Sequence, residues 1–329
     1  MRMNVISVVD MRMNARLATT ALLATTALAL GGCSAATSSA SEDARISIVA
    51  VTDAYGSIAE AIGGDAVEVT SIVAGSAQDP HEYEATARDQ LAIAGADLVI
   101  LNGGGYDDFM TRLAAGSSAV VISASEVSGL LPGGDAAHAD SADEQGHGHD
   151  GHDHIAGVNE HVWYSVHAVR HLAEAIAAEL AALDPAEATG FEERATAFLA
   201  ELSAIHDRIH ALEGELGGGE VIVTEPVAGY LLADLGFADV TPEAFAAAIE
   251  SGTGVSARIL DDVLRALEAD GIRLLAVNPQ SAGPEAELVR GAAEAAGVPV
   301  VEFAETLPEG LDYLGWMTAN LDAVETALR

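Results

Sequence analysis

The chain has 329 residues, enough for two domains of ordinary size. Its 51 acidic and 14 basic side chains give a formal net charge of −37, and every basic residue is arginine, which excludes a phosphate-tracking nucleic-acid surface and charge-driven attachment to an anionic membrane. Half the residues are hydrophobic, unlike a disordered acidic chain, and the single cysteine excludes intramolecular disulfides and multi-cysteine metal sites.

Arg12 and Arg16 precede an uncharged apolar run, residues 17–30. That run suits a signal peptide and is short for a bilayer span. It ends in Leu30-Gly31-Gly32-Cys33, which resembles a bacterial lipobox. The resemblance implies cleavage before Cys33 and a diacylglycerol on its sulfur, a firm anchor once several acyl chains are present. Residues 1–32 are then a lipoprotein signal peptide and 33–44, rich in Ser and Ala, a flexible tether. The expected product is an extracytoplasmic body held to the cell membrane by lipidated Cys33. Met1-Arg2-Met3-Asn4 recurs at 11–14, so Met1, Met11 and Met13 are all possible starts.

Beyond the tether, β-branched apolar runs alternate with helical patterns. Strands are expected at 46–51, 67–73, 98–101 and 120–122, with helices at 55–62 and 86–94. A second set has strands at 221–224, 238–240, 274–277 and 298–301, with helices at 227–235, 257–269, 285–296 and 311–328. Strands apolar on both faces and separated by helices indicate parallel βα units. The fold class is therefore α/β, with two βα lobes, 45–185 and 217–329.

Between the lobes, Phe191, Ala195, Phe198, Leu202, Ile205, Ile209, Leu212 and Leu216 recur at alternating spacings of four and three. This is one apolar seam on a helix over 186–216, about nine turns at ~3.6 residues each, ended by Gly217-Gly218-Gly219. A coiled-coil dimer would show the same seam. Its place between two βα sets favours a rigid backbone helix within a monomer.

Residues 133–154 have almost no apolar side chains and cannot build a core. They interleave His138, His147, His149, His152 and His154 with acids, a pattern that binds borderline divalent metals and marks a secondary metal-binding loop.

Four positions combine into a candidate primary site. His81 lies in Asp79-Pro80-His81-Glu82-Tyr83-Glu84, and His161 in Asn159-Glu160-His161-Val162-Trp163. Glu225 directly follows the strand at 221–224, and Glu305 follows the one near 298–303. Ligands of open α/β sheets bind beyond the carboxyl ends of strands. Imidazole and carboxylate donors together suit Zn²⁺, Mn²⁺ or Fe²⁺.

These stretches, with Asn102-Gly103-Gly104-Gly105-Tyr106, Thr224-Glu225-Pro226-Val227-Ala228-Gly229-Tyr230-Leu231, Phe303-Ala304-Glu305-Thr306-Leu307 and Tyr313-Leu314-Gly315-Trp316-Met317, resemble the metal-binding lipoproteins of bacterial zinc/manganese ABC importers. The resemblance covers the whole chain beyond the tether. It implies metal ligation by His81, His161, Glu225 and Glu305 between two lobes, and partnership with a membrane permease and its ATPase. Glu225 stands where zinc members commonly have His, Glu305 where manganese members have Asp, and Asn159-Glu160 where the family usually has Asp-Pro. The five-His loop is a zinc-importer trait. Zinc is therefore the expected cargo, with manganese the alternative.

A zinc-dependent hydrolase would keep an open coordination position beside a separate base, whereas four protein donors close the site, so no enzyme activity is expected. A surface adhesin of the same family has the same sequence signature. The i, i+4 pairs His167/His171 and His206/His210 read as polar helix faces, because neither spans the glutamate base of a metalloprotease helix.

Overall fold

In the computed structural model, residues 45–75, 80–81, 83–131, 159–269, 271–281 and 283–329 are described; the expected leader and tether, Cys33, Asp79, Glu82 and the histidines of 133–154 lie outside them. Two four-stranded parallel sheets form the frame. The first contains β1 (Ile46–Thr52), β2 (Val67–Val73), β3 (Leu98–Leu101) and β4 (Val120–Ser123) in the order β2-β1-β3-β4. The second contains β5 (Gly219–Val223), β6 (Phe237–Asp239), β7 (Ile272–Val277) and β8 (Val300–Glu302) in the order β6-β5-β7-β8. The central strands are buried on both faces, as parallel strands flanked by helices must be.

The helices are α1 (Asp53–Gly63), α2 (Ala87–Ala94), α3 (Asp108–Ala114), α4 (Ala124–Val127), α5 (Val166–Leu183), α6 (Ala188–Leu216), α7 (Gly229–Asp234), α8 (Glu243–Glu250), α9 (Ala257–Glu268), α10 (Pro284–Ala296) and α11 (Tyr313–Leu328). No helix among the described residues is long and apolar enough to cross a membrane.

The long helix α6 buries the whole expected seam, from Phe191 to Leu216, and ends where Gly217 adopts a left-handed conformation. It packs on α5, α1 and α11 of the same chain, so the seam is covered without a second copy. One apolar core runs from the first sheet through α5 and α6 to the inner face of the second sheet, and a smaller core around Phe245, Val263, Leu275 and Val289 lies on the other side of that sheet. The C-terminal segment returns to the first half. Leu307 N donates to Asp53 Oδ1 at 2.8 Å, Tyr313 N to Ser57 Oγ at 3.0 Å, and Tyr313 OH to the Trp163 carbonyl at 2.6 Å.

Three helices were not anticipated from sequence, α3, α4 and α8, and of α5 only the polar face at His167 and His171 was. Helix α5 buries Val169, Leu172, Ala173, Ile176 and Leu180 against α6, and its start is set by Ser165 Oγ accepting from Ala168 N. The expected helices at 227–235 and 311–328 begin two residues later than their apolar patterns, at Gly229 and Tyr313.

Candidate metal centre

The chain places its polar loops at the carboxyl ends of the strands. His81 follows β2, Tyr106 follows β3, Glu225 follows β5, Asn278 follows β7 and Glu305 follows β8. Downstream of His81 the chain is fastened by Tyr83 OH, which donates to Asp89 Oδ2 at 2.7 Å. Asp89 also closes the capping box with Thr86 at the start of α2.

Tyr106 is delivered by a tight turn. Asn102 N and Gly103 N each donate to the Asp107 carboxylate at 2.7 Å. Gly103, Gly104 and Gly105 all have φ between 70° and 98°, and a Cβ on Gly103 would stand 2.4 Å from Ser123 Oγ. Burial pushes the Asp107 carboxyl up to about 7 despite those two amide donors.

His81 Nε2 lies 3.6 Å and His161 Nε2 3.9 Å from the same oxygen, Oε2 of Glu305. All three side chains are buried. Donors at ~2.0–2.1 Å from a tetrahedral zinc ion stand about 3.3 Å apart, so a contraction of a few tenths of an ångström would seat an ion here. Tyr106 OH donates to Glu305 Oε2 at 2.8 Å, Asn278 Nδ2 to Oε1 at 2.7 Å, and the Glu305 backbone N donates to Gln280 Oε1 at 2.6 Å. Burial, and then the Glu305 carboxylate, pushes the Tyr106 phenol well above its ordinary range, so it stays a donor.

Glu225 is not in the converging triad. Its Oε2 accepts from Asn278 Nδ2 at 2.6 Å, the same nitrogen that reaches Glu305. One amide NH₂ thus uses both protons to hold two buried carboxylates side by side.

The tautomer of His161 is fixed by its neighbour. Asn159 Nδ2 must face the Pro226 carbonyl, to which it donates at 2.7 Å. Asn159 Oδ1 therefore faces His161, accepting from its backbone N at 3.0 Å and from Nδ1 at 2.7 Å. With the proton on Nδ1, the Nε2 lone pair points toward Glu305 and is available to an ion. Gly229 is required by this contact, since a Cβ there would stand 2.7 Å from Asn159 Nδ2. A wall of rings surrounds the imidazoles: Tyr106 lies 4.7 Å from His81, and Trp163 lies 5.2 Å from His161 and 5.0 Å from Tyr106 by ring centroids.

The other histidine pairs are elsewhere. His167 and His171 on α5 bring their Nε2 atoms to 3.2 Å, and the rings of His206 and His210 on α6 stand 4.4 Å apart.

The profile of the zinc-uptake complex component A, periplasmic, matches residues 48–327. The chain belongs to this family. The zinc-uptake component family comprises metal-binding substrate-binding proteins of ABC importers. The chain is 30% identical over 185 residues to the manganese-binding lipoprotein MntA of Halalkalibacterium halodurans, covering 56% of this chain and 55% of the relative. It is 28% identical over 203 residues to the zinc-binding lipoprotein AdcA of Streptococcus pneumoniae, covering 60% and 39%. The match thus spans about half, or less, of the length of these curated relatives. The structure of the SBP FpvC of Pseudomonas aeruginosa in complex with Ni²⁺ has a TM-score of 0.66 at 26% identity, covering 86% of this chain and 97% of that one. The metals named for these three proteins are manganese, zinc and nickel.

Sequence reasoning did not anticipate Asn159 as the residue that orients His161, nor Asn278 and Gln280 as the holders of Glu305. Asn159 had a signal, since it departs from the family's usual residue at that place. Asn278 and Gln280 had none, because lone amides after a strand are common on surfaces.

Proposed function

We propose that this protein captures a divalent transition-metal ion outside the cytoplasm and passes it to an ABC permease driven by its ATPase. The metal is cargo rather than a resident cofactor. The observation that carries the reading is the convergence of two buried imidazole Nε2 atoms on one carboxylate oxygen, Oε2 of Glu305. His81, His161 and Glu305 are the primary ligands. Glu225, held beside Glu305 by Asn278, is the fourth, reached by a small movement of its carboxylate.

Zinc is the favoured ion. Any site of nitrogen and oxygen donors binds Zn²⁺ more tightly than Mn²⁺ by the Irving–Williams order, and the His-rich segment 133–154 adds imidazoles that suit zinc. A manganese cargo is the second reading, favoured by the carboxylate-rich donor set and by the MntA relative. Attachment by a lipid on Cys33 agrees with relatives named as lipoproteins.

The test is metal analysis and calorimetry of the purified protein with Zn²⁺ and Mn²⁺ in competition. One tightly held zinc per chain is expected, lost in His81→Ala and in His161→Ala. Manganese displacing zinc at equal concentration would overturn the zinc assignment. Full-affinity binding in both variants would overturn the site.

A further inference from the structure

We propose a second metal position beside the central one, built from His81, Glu160 and Glu250, which an ion occupies on its way to and from the central donors. The inference rests on the metal-binding reading above.

Ligand atoms of His81, Glu160 and Glu250 all lie within 4.8 Å of one another, as do those of His81, His161 and Glu305. His81 belongs to both groups. His81 and Glu160 are buried and Glu250 is half-buried, so the second group is the outer one. Glu160 is held by its own backbone, whose carbonyl accepts from Asn102 Nδ2 at 3.0 Å and from Val162 N at 2.7 Å. Glu250 is the last residue of α8 and lines a cavity of ≈ 250 Å³ with Gly252, Thr253 and Gln280. The rim at 251–254 is exposed. Gln280 is the shared wall, because its Oε1 also accepts from the Glu305 backbone N.

The chemistry of the two groups differs in a useful direction. One imidazole with two carboxylates is a harder donor set than two imidazoles with one carboxylate. It suits an ion that has shed only part of its water and holds zinc more weakly. Two dications a few ångströms apart that share one imidazole repel strongly, so the positions are filled in turn rather than together. Exchange then needs no fully dehydrated ion in transit. The ion pivots on His81 while it trades Glu160 and Glu250 for His161 and Glu305.

The experiment is stopped-flow mixing of Zn²⁺ with the purified full chain, and chelator-driven release from it. Glu250→Gln is expected to slow both association and release about tenfold, more than Glu243→Gln, which removes an equal charge from the exposed start of the same helix. Equilibrium binding to His161→Ala, which lacks a central donor, is expected to retain one weaker zinc beyond those of the His-rich segment 133–154, and adding Glu250→Gln or Glu250→Ala to that variant should lower the zinc stoichiometry by one. Rates for Glu250→Gln equal to those of Glu243→Gln would overturn the proposal. So would a zinc stoichiometry of His161→Ala that the loss of Glu250 leaves unchanged. In both cases wild-type zinc binding would leave the function above standing. A wild-type chain that binds no zinc or manganese would overturn that function and this inference together.

Discussion

Asn159 holds the Nδ1 of His161 at 2.7 Å while its amide nitrogen is committed to the Pro226 carbonyl, so Asn159 decides which imidazole nitrogen faces Glu305. Such orienting partners typically contribute about 10–100-fold to metal affinity. Asn159→Leu is therefore expected to weaken zinc binding by about that factor, read by competition with a chromogenic chelator. Asn159→Asp keeps the acceptor for Nδ1 but loses the donor to Pro226, and its loss should be smaller. Equal affinity in Asn159→Leu and wild type would contradict the orienting role.

Tyr106 donates to the Glu305 oxygen nearest both imidazoles. Hydrogen bonds to charged groups contribute about 1.5–3 kcal/mol, so Tyr106→Phe should destabilise the metal-free protein by roughly that much. A bound ion takes over the stabilisation of Glu305, so saturating zinc should raise the melting temperature more in the variant than in wild type. Thermal unfolding with and without zinc measures both numbers. An equal zinc-induced shift in the two proteins would refute the argument.

Asp107 gives a stability signature away from the metal. Its folded value of about 7 lies above the ordinary carboxylate value near 3.8. The folded state therefore binds more protons than the unfolded state between those values, so the contribution is fully present below about pH 4 and is lost as the pH rises through about 7. Urea unfolding from pH 4 to pH 8 is expected to show a decline in wild type that is shallower in Asp107→Asn. Parallel curves would assign the decline to other acids.

If Cys33 carries the lipid, Cys33→Ser should move the protein from the membrane to the soluble fraction without changing its zinc affinity. Membrane fractionation and calorimetry decide the matter. A variant that still sediments with membranes would rule the anchor out.

The local physics of the sequence determined much of the frame. Strands β2 and β3 coincide with their expected spans: β3, buried at all four positions, is an uninterrupted run of Leu, Val and Ile, whereas β2 is an edge strand buried at Val67 and Val73 with polar residues between them. The four-three spacing from Phe191 to Leu216 specified α6, since only a helix brings those side chains to one face, and Gly217 stopped it. Of helix α5 the sequence signalled only a polar face, through the i, i+4 pair His167/His171, and its buried face became evident only against α6. His81, His161 and Glu305 could be picked out singly as donors. Their meeting is a property of the tertiary structure, because they are separated by tens of residues and converge only when the loops after β2 and β8 approach the turn at His161. The amides that orient them, Asn159, Asn278 and Gln280, acquire their roles the same way. A side-chain amide has no fixed partner until folding excludes water and leaves it one geometry that satisfies both its donor and its acceptor.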